Sequence, residues 1–119
     1  MEDSILTTIK LMLGIPEDYE SFNTQIILHI NSVFGILNQL GVGTKEPFKI
    51  TGAAETWSSF LEDKTNLELV KTYMFLKVKM AFDPESSGFT TTSIKELVDE
   101  YEWRLYMIAD QDRLEQEEH

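Results

Sequence analysis

Phe22, Ile26, Ile30, Val33, Leu37 and Leu40 recur at intervals of four and three, and no other feature constrains the fold of this chain as tightly. That spacing puts all six on one face of an α-helix and is incompatible with the period of two that a strand requires. Ile27 and Phe34 widen the stripe. Opposite it lie Thr24, Asn31, Gly35, Asn38 and Gln39, with Leu28 as the apolar exception. The helix is expected to start near Ser21 or Phe22 and to run to Leu40, where Gly41 supplies the left-handed stop.

Four further segments follow from the same rules. A first helix is expected from about Ser4 to Leu13. Asp3 or Ser4 caps it, Ile5, Leu6, Ile9, Met12 and Leu13 form its stripe, and Gly14 and Pro16 end it. Between Gly41 and about Asn66 the periodicity collapses. Gly41, Gly43, Pro47 and Gly52 punctuate an extended-looking loop through Phe48 and Ile50, and a short helix within Ala53–Leu61 turns Trp57 and Phe60 inward.

A fourth helix spans about Asn66 to Phe82, stopped by Asp83-Pro84. It is apolar on two sides: Leu67, Val70, Met74, Val78 and Ala81 on one, and Leu69, Tyr73, Leu76 and Met80 on the other. A helix apolar nearly all round is buried from more than one direction. The fifth helix is expected to open at the capping box Ser93-Ile94-Lys95-Glu96 and to run to about Asp110 or further. Ile94, Leu97, Val98, Tyr101, Leu105 and Ile108 form its core face. Trp103 points the other way, flanked by Tyr106 and Met107, and the acidic end from 110 to 119 is expected to fray.

The fold class is therefore all-α: a small bundle of four to five helices with a long Gly/Pro-punctuated loop between the second and fourth. Residues 1–119 make one domain, without internal repeats or low-complexity blocks. Every apolar run is interrupted well before the ~18 residues of a membrane span. The acidic start Met-Glu-Asp-Ser lacks the basic opening of a signal peptide, so the expected compartment is the cytoplasm of the cell that makes it.

Chemistry finds little to work with. The chain has no cysteine, which excludes disulfides, thiol catalysis and thiolate metal sites. Its two histidines, His29 and His119, stand ninety positions apart, without metal-binding spacing. The acidic pairs, such as Glu17-Asp18, Glu62-Asp63 and Asp99-Glu100, read as solvated faces and helix starts. Gly41-Val42-Gly43-Thr44 lacks the later glycine and the Lys-Ser/Thr pair of a phosphate loop. No enzyme, cofactor or metal is expected. A formal net charge of −11 disfavours binding nucleic acid by neutralising phosphates. Lys71, Lys77 and Lys79 point in different directions and are expected to pair with carboxylates, within the chain or on a neighbouring subunit, rather than to contact DNA.

Several pieces taken together, in this order and spacing, resemble the bacteriophage head–tail connector (adaptor) family. They are Phe22-x-x-Gln25-Ile26-Ile27-Leu28-His29-Ile30-Asn31-Ser32-Val33-Phe34 with Leu40-Gly41-Val42-Gly43, then Phe48-x-Ile50-Thr51-Gly52 and Thr56-Trp57. Leu69-Val70-Lys71-Thr72-Tyr73-x-x-Leu76-Lys77-Val78, Phe82-Asp83-Pro84 and Glu102-Trp103-Arg104-Leu105 complete them. The likeness spans roughly residues 4 to 106. It implies a structural protein of the virion, assembled in the host cytoplasm into a ring, commonly of about twelve subunits, beneath the portal. The implied partners are further copies of the chain, the portal protein, and a stopper or tail-completion protein. DNA passes through the ring without being specifically bound, and no membrane is involved.

A ring needs two different contact faces on each subunit. The residues expected to supply subunit or portal contacts are Phe48 and Ile50 on the loop, Leu69 and Tyr73 on the fourth helix, and Trp103 and Met107 on the fifth. The competing expectation is an acidic, antitoxin-like helical module that masks a basic partner. A large cyclic oligomer separates the two.

Overall fold

A computed structural model describes residues 4–44, 46–61, 64–82 and 88–117, with 64–65, 88–91 and 112–117 described as backbone only. The described residues form five helices and no strand: α1 (Ile5–Met12), α2 (Asn23–Leu40), α3 (Trp57–Phe60), α4 (Lys64–Phe82) and α5 (Gly88–Glu117).

α1 begins where its sequence says it should. The Ser4 hydroxyl accepts from the Thr7 N–H at 3.3 Å, satisfying one of the free donors at the helix start. At the other end Gly14 takes φ +83°, and the Ile15 N–H turns back to the Lys10 carbonyl at 2.8 Å.

Lys10 itself is 98% buried by its own chain, with a relative exposure of 2%. Its ammonium donates to the carbonyls of Glu17 (2.9 Å) and Tyr19 (2.7 Å) and has no carboxylate partner among the described residues. It latches the 13–22 connection onto α1. Hydrogen bonds to a charged group contribute about 1.5–3 kcal/mol each, partly recovered by water at a surface loop. Lys10→Met, which keeps the apolar stem, is therefore expected to lower stability by about 2 kcal/mol and to expose 16–20 to proteases. Unchanged urea unfolding and unchanged cleavage would rule out the latch.

α2 buries Ile26, Ile30, Val33, Phe34 and Leu37 and ends at Gly41, φ +86°, with the Val42 N–H returning to the Leu37 carbonyl at 2.9 Å. Phe22 and Leu40, the ends of the stripe, are only partly covered.

The loop that follows is tied down by side chains. The Asn31 amide brackets Ile50, donating to its carbonyl at 3.0 Å and accepting its N–H at 2.8 Å. Such an amide imitates a strand partner and leaves no buried backbone group unpaired. Glu55 accepts from the Thr51 N–H and hydroxyl and from the Gly52 N–H. Burial pushes its carboxyl up, but these hydrogen bonds outweigh that and hold it below its ordinary value.

The loop then returns to α1. Ser4 and Thr56 form an isolated antiparallel bridge, and Trp57, fully buried, donates its indole N–H to the Thr8 hydroxyl at 3.2 Å. Phe34, Phe48 and Phe60 pack ring against ring, with centroids 4.7 to 5.4 Å apart.

α4 is the central helix, packed against α2, α5 and α1. Both of its apolar sides are used: Leu67, Val70, Met74 and Val78 are buried, and so are Tyr73 and Leu76. Only Ala81 of the predicted faces is exposed. The Tyr73 hydroxyl crosses to α5 and donates to the Glu102 carboxylate at 3.0 Å. Burial, then that bond and the charges of Glu102 and Asp99, push the phenol pKa well up, so it stays a donor.

α5 departs from expectation at three points. It starts at Gly88 rather than at Ser93, so the Ser93 capping box lies inside the helix. Propensity is a weak prior, and once the strong segment from Ile94 has nucleated, adding residues at its start is cheap even for Thr90-Thr91-Thr92. Its backbone also stays helical through Glu117, along the end expected to fray, where Gln, Arg, Leu and Glu are good helix formers. Finally, Leu97 is exposed. α5 lies mainly against α4, and the seam is filled by Ile94, Val98, Tyr101 and Leu105 at intervals of four, three and four, which leaves Leu97 beside it.

Candidate functional site

The six residues expected at contacts with other subunits or the portal fall into three groups. Ile50 and Tyr73 are buried in the chain's own core, which corrects the expectation that they face a partner. The Asn31 bracket draws Ile50 inward, and the bond to Glu102 lets a phenol sit at the α4–α5 seam. Phe48 and Leu69 are half-covered, packed at the edge of the same core. The loop carrying Phe48 and Ile50 folds back onto α2 instead of reaching away. Trp103 and Met107 alone of the six are exposed, Trp103 at 62%.

Trp103, Tyr106 and Met107 lie three and four positions apart on α5 and so share one outer face. Tyr106 is also exposed. Glu96, Asp99 and Glu100 stand around this face, and Arg104 answers only Glu100, at 2.9 Å. Single exposed apolar residues are ordinary, but a tryptophan grouped with a tyrosine and a methionine is the composition of a protein contact.

Beside this face runs a groove of about 650 Å³ between the end of α2 and the second half of α5, lined by residues that include Leu40, Val42, Leu105 and Ala109. Its polar side chains are Gln39, Asn66, Tyr106 and Asp110. They supply no nucleophile beside a base. Among the described residues no group of His, Asp and Glu is placed to hold a metal ion. His29 sits half-covered on α2, and His119 lies outside the described residues.

A second apolar group gathers near the start of α2. Tyr19 packs tilted against Phe22 (5.5 Å) and Phe22 edge-on against Phe82 (5.3 Å), with Leu11 and Met12 of α1 also exposed. α2 has 18 residues, so this group lies about 27 Å along it from Leu40, which borders the Trp103 pocket. The chain thus carries separated exposed apolar areas.

Among the described residues Lys71, unlike Lys77 and Lys79, pairs with a carboxylate, Glu68 at 3.6 Å, and it also lies over the Trp57 ring, while Lys79 lies over Phe75. No helix among the described residues is long and apolar enough to cross a membrane.

The described residues form an all-helical fold with exposed apolar side chains at Trp103 and around Phe22. The particular family follows from comparison with known proteins: residues 5–112 match the phage connector protein family model, and the chain is a member of that family. The expected kinship with the head–tail connectors and the all-α bundle therefore both hold. No curated protein and no solved structure matches the chain.

Proposed function

We propose that this connector subunit assembles into a ring beneath the portal, extends the DNA channel there, and offers the stopper or tail-completion protein a surface to dock on, without catalytic turnover. The single observation that carries this reading is the family match over 5–112. The exposed Trp103–Tyr106–Met107 face, remote from the Phe22 group, supports it, because a head-to-tail ring needs unlike surfaces on every subunit. The acidic surplus supports it too: a wall that repels phosphate lets a duplex slide, so part of that charge faces the channel. Trp103 and Met107 are the proposed contact residues, the virion's head–tail junction is the proposed location, and assembly takes place in the host cytoplasm.

Trp103→Ala tests the assignment of the face. The side chain is exposed, so the melting temperature should hold within the range of surface changes. Ring formation, followed by sedimentation with the portal present, should need at least about tenfold more protein, the equivalent of ~1.4 kcal/mol. Unaltered assembly would remove Trp103 from the contact, and tight, salt-insensitive duplex binding by the chain would overturn the sliding channel.

A further inference from the structure

α2 contains no Asp, Glu, Lys or Arg in 18 residues, in a chain of which 26% is charged. Burial explains only its core side. Leu28, Ser32, Gly35 and Gln39 follow one another at intervals of four, three and four and form a strip on the outer side. Leu28 is 65% exposed, the highest value of any large apolar residue described. At Gly35 an added Cβ would meet nothing within 4 Å, and its φ is not positive. Neither the chain's own packing nor its backbone therefore requires glycine, which weakens a helix interior.

Accepting the ring reading, on which this inference rests, we propose that the outer strip of α2 is the seat for Trp103 of the next copy, with the indole entering the notch at Gly35 and Leu28 giving apolar cover two turns away. Charge selects this seat. Between Glu96 and Asp110, α5 holds five carboxylates against Arg104 alone, so it is repelled by any acidic surface. The other exposed apolar group, around Tyr19, is interleaved with Glu17, Asp18 and Glu20. The α2 strip is neutral. Shape agrees: a large exposed knob on α5 and a side-chain-free notch on α2 are unlike surfaces, as a head-to-tail contact requires.

The absence of native cysteine makes the test direct. Chains carrying Gly35→Cys are mixed with chains carrying Trp103→Cys at well over about ten times the concentration at which the wild type assembles, to offset the lost indole, then oxidised; Leu11→Cys serves as an exposed control elsewhere. The expected result is a crossed 35–103 disulfide dimer in clear excess over either self-linked dimer and over any pair with position 11. Leu28→Glu should raise the concentration needed for assembly at least about tenfold with secondary structure unchanged. Assembly in which 35 links only to 35, or 103 to 11, overturns the seat while leaving the ring reading intact. A wild type that never assembles, even with the portal, overturns both.

Discussion

Trp57→Ala is expected to lower the stability of this chain by about 4 kcal/mol, within the usual range for emptying a buried tryptophan site. The side chain is the largest of the fully buried ones, and it touches three separately formed parts of the molecule. Its indole N–H reaches Thr8 of α1, its backbone starts α3, and Lys71 of α4 lies 5.8 Å from the ring centroid. Truncation leaves a cavity that three tethered elements cannot collapse into, and takes the indole donor from the Thr8 hydroxyl. A domain of this size is stable by about 5–15 kcal/mol, so a large part of that margin goes with one side chain. Urea unfolding measures it, with Trp57→Phe expected to lose distinctly less. A loss below about 2 kcal/mol would show that the loop docks without the ring.

Gly43→Ala is expected to cost about 3 kcal/mol, from overpacking and left-handed backbone strain together. The residue takes φ +89°, and a Cβ there would stand 2.4 Å from two carbons of the Phe60 ring. Phe60 cannot move aside freely, because Phe34 and Phe48 hold its faces. The backbone at 43 must then lift, pulling on Val42, which is buried at the end of α2. Gly41→Ala separates the two causes: it meets the same backbone penalty at φ +86° but only ordinary contact, 3.6 Å from the Ala109 Cβ. It should cost about 1–2 kcal/mol, and equal losses at both positions would remove Phe60 from the explanation.

Both substitutions lie at places where sequence reading stopped short. The long helices were legible because their stripes are local: Ile26 to Leu37 announce a face whatever they pack against. The double apolar pattern of α4 fits either a central helix or one that meets a partner, and the packing against α2, α5 and α1 decides for the first. The loop was harder, since what orders it is long-range. Nothing near Ile50 signals that Asn31, nineteen positions earlier, will bracket it, and nothing near Gly43 signals Phe60. Ile50 and Tyr73 read from the sequence as outward contacts for the same reason: surplus apolar area can be covered by the chain itself as well as by a neighbour. Trp103 was legible because it opposes its own helix's core stripe. The neutral strip of α2 was also there to be read, as an absence of charge against an acidic background, but Gly35 acquires meaning only once its surroundings are known to be open.

The account as a whole rests on assembly, and its most direct test is the mass of the complex formed when the chain is added to a purified portal ring, measured by native mass spectrometry. The account predicts a closed oligomer of this chain on the portal, about twelve copies from the family resemblance, with no enzymatic component needed. A chain that remains monomeric beside the portal, or that forms instead a one-to-one complex with a basic protein, would contradict it and favour the acidic masking module.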